Sequence, residues 1–296
     1  MRVLIIGCGY AGLPLGAELV RLGHEVFGLT RSTDRHTALR ERGINPIAAD
    51  ITQADALQRI PPAFDWVVHT AASNRGGEEE FRQVYVEGMR HILQWLEGAP
   101  PKKFVYTSST SVYGQDDGSL VKESSPAEPQ SELGRILVQA EQLLLDAFGA
   151  RQFPAVILRV AGIYGPGRGH LFLQFLKDQA RIAGQGGRIV NMIHRDDVGA
   201  CILAALKNGR PGEIYNACDD EPVPQVHFFR WLSETLGKNM PPFVAEGATG
   251  AGKRVVTNKK ISNRRLRMEL GCVLRYPTFR QGYTAEIQRL QDAGEL

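Results

Sequence analysis

Arg2-Val3-Leu4-Ile5-Ile6-Gly7-Cys8-Gly9-Tyr10-Ala11-Gly12 decides the fold of this chain. A short apolar run enters a glycine loop directly, and residues 12–22 then carry apolar side chains at helical spacing. The order is therefore strand, G-x-G-x-x-G, helix. The first two glycines permit a tight turn and let backbone approach a pyrophosphate. The third lets the helix pack on the strand, whose neighbouring helix N-terminus offers N–H groups and a positive dipole end. On that reading Gly7, Gly9, Tyr10, Ala11 and Gly12 form a nucleotide-binding turn. The motif is weak alone, and its weight comes from the strand before it and the helix and second strand after it. The opening apolar run reads as that first strand, not as a secretory leader.

Outward from the loop, short β-branched runs alternate with longer helical patterns. Residues 3–6, 25–29, 46–49, 66–69, 104–107 and 155–160 read as strands, most of them continuously apolar, as parallel strands buried on both faces should be. Residues 80–96 and 132–148 read as helices. Such alternation predicts an α/β fold, a doubly wound parallel sheet of Rossmann type, with the loops after the strands on one common edge. Beyond about residue 165 the alternation loosens. Loops at 165–169 and 184–187, helices at 197–206 and 228–236 and a late strand at 213–217 are expected there. The breaker-rich stretch 241–252 reads as the most mobile part of this half. Residues 1–165 are assigned to the nucleotide-binding domain. Residues 166–296 are read as a smaller substrate-binding lobe, interleaved with the last sheet elements.

The totals exclude several classes. With 296 residues, 43% of them hydrophobic and 23% charged, the chain is an ordinary globular protein. A net charge of +3 on scattered Lys and Arg gives no footprint for nucleic acid or a membrane surface. No apolar run approaches the ~18 residues needed to span a bilayer. Cys8, Cys201, Cys218 and Cys272 are far apart in sequence, without metal-type or redox spacing. Free thiols in a reducing cytoplasm are expected, and no metal site.

Residues that would surround the nucleotide follow the strands. Thr30-Arg31-Ser32 come after the second strand, with no carboxylate before Asp34. A guanidinium suits a 2′-phosphate and Ser32 adds a hydroxyl donor, so NADP is favoured, with NAD left open. Asp50 reads equally as an acceptor for an adenine amino group, with Ile51 packed on the ring, or as a cap for the next helix. Ala71, Ala72 and Ser73 are small enough to let backbone pass close to the ribose and pyrophosphate, or simply to pack tightly.

Together with Phe104-Val-Tyr-Thr-Ser-Ser-Thr-Ser-Val-Tyr-Gly114, Leu158-Arg-Val-Ala-Gly-Ile-Tyr-Gly-Pro-Gly167 and Ile193-His-Arg-Asp-Asp-Val198, these residues resemble the extended branch of the short-chain dehydrogenase/reductase superfamily. That branch contains NAD(P)-dependent epimerases and dehydratases, and the resemblance covers roughly residues 1–220. It implies that Ser109 hydrogen-bonds a substrate oxygen and that Thr107 and Ser108 lie beside the cofactor. It also implies that Val160, Gly162 and Ile163 meet the nicotinamide end. Arg159 and Asp197 match recurring positions but read equally as a strand-end ion pair and a helix start. A homodimer through the helices at 80–96 and 132–148 is likewise implied only by analogy.

One departure governs the chemistry. The Tyr-x-x-x-Lys positions of that superfamily are Leu133 and Leu137 here. Spacing i, i+4 puts both on one helix face, which becomes apolar and cannot move a proton. In the superfamily the lysine lowers the phenol pKa from about 10, so the pair serves as acid and base near neutrality. Ser131 is available as an N-cap to offset the helix-weakening Gly134. Tyr113, Tyr164, His170 and His194 are the ionisable replacements near the cofactor edge, while Arg168, His170 and His194 are placed to meet substrate. Two readings follow. One is an atypical oxidoreductase or epimerase-type enzyme acting on a small or sugar-like substrate through Ser109 and, as an outside choice, Tyr113. The other is a catalytically silent NADP(H)-bound sensor or interaction protein.

Overall fold

The computed structural model describes residues 1–73, 77–246 and 257–296. Seven parallel strands form the central sheet: β1 (Arg2–Ile6), β2 (Glu25–Thr30), β3 (Asn45–Ala48), β4 (Trp66–His69), β5 (Lys103–Ser109), β6 (Ala155–Val160) and β7 (Ile214–Ala217). Their spatial order is β3-β2-β1-β4-β5-β6-β7. The order reverses between β1 and β4, and a ligand crevice opens outside the strand C-termini at such a switch point. The register follows burial: β4 and β6 are buried at every position, so no polar alternation is needed along them. Every β-run expected from sequence is in this sheet, the late one as β7.

Two cores divide the molecule. The larger is built on the sheet and includes Val198, Cys201, Ile202, Tyr215, Leu266 and Leu270 from the second half of the chain. The smaller gathers Phe172, Phe175, Phe228, Phe229, Phe279 and Tyr283 beneath the C-terminal lobe. From the second half of the chain, β7 joins the sheet and the helices Arg195–Asn208 and Arg264–Leu270 contribute to the larger core. Phe243–Val244, within the breaker-rich stretch, pairs with Ile182–Ala183, and residues 247–252 of that stretch lie outside the described residues.

One expectation needs correction. The helix read at 80–96 is two α-helices, Glu78–Arg82 and Gly88–Trp95, joined by a wide π-helical turn over Gln83–Glu87. That turn packs on the long helix Glu132–Arg151, a tertiary contact that a 3.6-residue period does not encode. Cys201 and Cys272, distant in sequence, also meet: their sulfurs lie 3.8 Å apart as buried free thiols. Among the described residues no helix is long and apolar enough to cross a membrane, and no cluster of His, Cys, Asp and Glu is placed to hold a metal.

His69 closes β4 with no exposed surface, its ring 5.3 Å from that of Tyr106, and neither ring nitrogen has a partner among the described residues. Burial pushes its pKa from 6.5 down to about 4. A base depressed on folding contributes stability that is complete above 6.5 and is lost as pH falls through 4. The loss is about 3 kcal/mol. His69→Leu is expected to flatten that part of the profile, measured by urea unfolding at pH 7 and pH 4.5. An undiminished acid loss in the variant would assign it elsewhere.

Candidate functional site

A cleft of about 2560 Å³ runs along the sheet's C-terminal edge, from the glycine loop to the C-terminal lobe. Single small-molecule sites occupy roughly 300–1,000 Å³, so there is room for two ligands end to end.

At its near end Gly7 turns the chain at φ +86°, and its N–H bonds Leu29 O at 2.9 Å. A Cβ there would sit 2.3 Å from the backbone of Ala71, so only glycine allows the loop to lie against the end of β4. The helix Gly12–Arg21 starts at Ala11 without a side-chain cap and without an acidic residue in its first turn. Its leading N–H groups and positive end are left for an anion. Gly7, Gly9, Tyr10 and Ala11 line the cleft. Gly12 does not: it packs behind the loop against Ile5 and Thr70, which corrects its place among the ligand contacts. Tyr10 reaches across to the lobe and lies between the guanidiniums of Arg168 and Arg195, at 5.1 and 5.4 Å from its ring centre.

At the end expected from sequence to take adenosine, the structure brings together Thr30, Arg31, Ser32, Asp50 and Ile51, and adds Arg35. The hydroxyl of Ser32 is committed, donating to Asp34 Oδ2 at 2.8 Å, so it is not the free donor expected from sequence. Asp50 Oδ1 accepts from the backbone and hydroxyl of Thr52 at 3.0 and 2.8 Å. That closes a local turn, while the helix Ala54–Gln58 is capped at Gln53. Ala71, Ala72 and Ser73 line the adjoining wall, with Ser73 Oγ donating to Glu80 Oε1 at 2.9 Å.

The middle of the cleft holds Thr107, Ser108, Ser109, Val160, Gly162 and Ile163. Alternation along β5 separates the two serines. Ser108 Oγ donates to the buried Glu141 at 2.5 Å, and Glu141 is gripped by Arg159 through Nε at 3.1 Å and Nη2 at 2.6 Å. Ser109 Oγ instead accepts from Ser111 N at 3.2 Å, which leaves its hydrogen available. Leu133 and Leu137, one turn apart on the helix Glu132–Arg151, line the same cleft. Ser131 Oγ caps that helix by accepting from Gly134 N at 3.1 Å. Gly134 is explained by proximity: a Cβ would stand 2.4 Å from the Pro129 side chain and 3.1 Å from Ser111 O.

The replacements read from sequence fare unequally. Tyr113 is fully buried, donates to Asn216 Oδ1 at 2.8 Å and lies under the Arg159 guanidinium; burial raises its pKa. Its phenol is a strut, which corrects the outside choice of Tyr113 as a proton donor. Tyr164 is buried in the second core, stacked on Tyr283, and burial drives its pKa far above the usual tyrosine range. His194 is buried outside the cleft lining. Its Nδ1 accepts from Asp196 N at 3.2 Å and its ring packs on Tyr276, so its placement as a substrate contact is also corrected. Arg168 and His170 do line the cleft. Asp197 serves the fold, its two oxygens accepting from the backbone of Arg275 and Tyr276 at 2.6 and 3.0 Å.

The cleft residues that sequence reasoning missed include Arg35, Tyr85, Arg188 and Lys259. Tyr85 is carried inward by the π-helical turn, packed on Phe81 at 4.8 Å, and burial raises its pKa while the Ser73 backbone and Arg168 oppose the rise. The i, i+4 pairing of Phe81 and Tyr85 was the one local signal for it.

A family model, described as the NAD dependent epimerase/dehydratase family, matches residues 3–218. The chain belongs to this family. Among its relatives, Protein YeeZ of Escherichia coli K12 is 30% identical over 283 residues, covering 93% of this chain and 96% of that one. A solved protein from Methylobacillus flagellatus is 34% identical, with 98% of both chains covered and a TM-score of 0.78. The dTDP-glucose 4,6-dehydratase DesIV of Streptomyces venezuelae, solved with NAD and TYD bound, has a TM-score of 0.83 over 99% of this chain and 97% of that one. At 22% identity it shares the fold. The glycine turn, Ser109 of β5 and the pair Leu133 and Leu137 all line one cleft.

Proposed function

We propose that this epimerase/dehydratase family member binds NADP(H) in preference to NAD(H) and acts as an oxidoreductase or epimerase-type enzyme. Its substrate, small or sugar-like, sits in the lobe half of the cleft. One observation carries this reading: a single continuous cleft links the uncapped helix end beside Gly9 to the lobe, with the free hydroxyl of Ser109 between the two halves. A nicotinamide dinucleotide, when bound, supplies hydride chemistry. The chain's own residues cradle the pyrophosphate with backbone N–H groups, hold the adenosine end with Arg31 and Arg35, and orient a substrate oxygen with Ser109. Neither Arg31 nor Arg35 forms an ion pair among the described residues, whose salt bridges lie elsewhere, so both guanidiniums are available to a 2′-phosphate. Proton transfer falls to a cleft group other than the leucine pair. Of the four replacements read from sequence, Tyr113, Tyr164 and His170 line the cleft; the two tyrosines are buried in the fold, which leaves His170, and Tyr85 joins it.

Arg31→Ala is expected to weaken NADPH by ~10- to 100-fold, the worth of a charge-assisted hydrogen bond, and to change NADH affinity by less than ~3-fold. Parallel calorimetric titrations decide it, and equal losses for the two nucleotides remove the preference for NADP(H). Leu133 and Leu137 on the cleft wall favour a second reading, a cofactor-bound sensor with little turnover. Sustained NADPH oxidation by the wild-type protein on any metabolite ends that reading.

A further inference from the structure

Residues 257–261 form a strap across the lobe half of the cleft. Asn258 O accepts from Gly118 N at 2.9 Å, and Asn258 Oδ1 accepts from Ile189 N at 2.9 Å. Asn191 clamps Lys259 and Ile261, donating to Lys259 O at 2.9 Å and accepting from Ile261 N at 2.8 Å. Lys260–Ile261 then pairs with Leu120–Val121. The backbone of Lys259 is therefore fixed from both sides, and its side chain lines the cleft.

That side chain is unusual. Lys259 is only 4% exposed, and its Nζ donates to Tyr113 O at 2.7 Å and Thr257 Oγ1 at 2.8 Å. The third N–H has no partner among the described residues. No carboxylate lies within ion-pair distance of Nζ, and residues 74–76 and 247–256 contain no Asp or Glu, so the ammonium has no counter-ion in the chain. An unpaired buried ammonium is costly, and an apolar side chain would fill the space at less cost. Arg188 lines the same half, next to the Ile189 that bonds Asn258, and its guanidinium also lacks an ion pair among the described residues. The other charged side chains of this half are Arg168, Arg181, Glu246 and Asp116, so positive charge predominates.

We propose that Lys259, with Arg188 on the same half of the cleft, receives an oxyanion of the substrate, a carboxylate or a phosphate. The inference rests on the reading of this cleft as a cofactor half and a substrate half. Burial lowers the lysine pKa from 10.5 to about 8, so the site is charged at neutral pH and loses its charge above 8. A bound anion stabilises the ammonium and raises that midpoint.

The test follows lysine side-chain ammonium groups by ¹⁵N NMR in protein saturated with NADPH, for the wild type, Lys259→Met and Arg188→Met. One ammonium should titrate near pH 8 and be missing in Lys259→Met. Inorganic pyrophosphate or citrate should move its midpoint up by about one pH unit or more, and glucose should not. Both anions should bind the wild type, or one of them if the site selects phosphate over carboxylate, and affinity should fall by ~10- to 100-fold in Lys259→Met. A midpoint moved by neither anion, or equal affinity in the variant, overturns the proposal. If Lys259→Met does not fold, the wild-type titration decides alone. Failure of NADPH to bind would sink the proposed function but leave the lysine signal, and so this inference, to be judged separately.

Discussion

Glu141→Ala should cost the folded protein about 3–5 kcal/mol, because it strands a buried guanidinium. Glu141 is 2% and Arg159 4% exposed, and they meet through three hydrogen bonds of 2.6–3.1 Å. Arg159 already has an Nη1 without a hydrogen-bond partner and rests at 4.7 Å on the Tyr113 ring, so it has no second acceptor to turn to. Ser108 loses its acceptor in the same change. At this chain length the deficit corresponds to a fall in Tm of roughly 10 °C. Replacing both partners, Glu141→Leu with Arg159→Met, should be milder than the single change, since no charge is left unpaired. Thermal and urea unfolding of the three proteins check this. A single-variant loss below about 1 kcal/mol, or a double variant worse than the single, would show that the pair is not a buried charge pair in solution.

This network also shows where sequence reading stops. Burial on both faces made β4 and β6 legible to the residue, since an unbroken apolar run leaves a parallel strand no other register. The glycine loop was legible because each glycine has a separate steric task, and Gly12 was misplaced only in being counted a ligand contact. The strand-end ion pair of Arg159 was foreseen, but its partner Glu141, eighteen residues earlier, is found only when β6 and the helix Glu132–Arg151 pack together. His194 follows a recognisable pattern of neighbours, yet its ring packs against Tyr164 and Tyr276, away from the cleft lining. Lys259 had no local signal at all: its acceptor, the Tyr113 carbonyl, is 146 residues away. Motif spacing encodes what neighbours along the chain must do. It is silent on which distant side chain is left without a counter-charge.

The second large effect concerns Ser109. Its hydroxyl accepts one backbone hydrogen bond and gives none among the described residues, so its proton points to whatever occupies the cleft. In a site walled by Leu133 and Leu137, that donor stands in an apolar surround where a hydrogen bond to developing charge is worth more than in water. Ser109→Ala is therefore expected to lower kcat by ~10²–10³ for any substrate the wild type reduces or oxidises, the usual cost of removing one positioned oxyanion donor. NADPH affinity should stay within ~2-fold, since the proposed function has the nucleotide held by the Gly9 turn and Arg31, and no described contact ties Ser109 to either. A merely structural Ser109 gives the opposite split. The turn that Ser109 caps through Ser111 N would loosen, the unfolding midpoint would fall, and kcat and KM would move together with it. Ser109→Thr keeps the hydroxyl and should restore most of the lost rate. Turnover in Ser109→Ala equal to wild type would remove the serine from the chemistry and assign the proton and oxyanion work to other groups of the cleft.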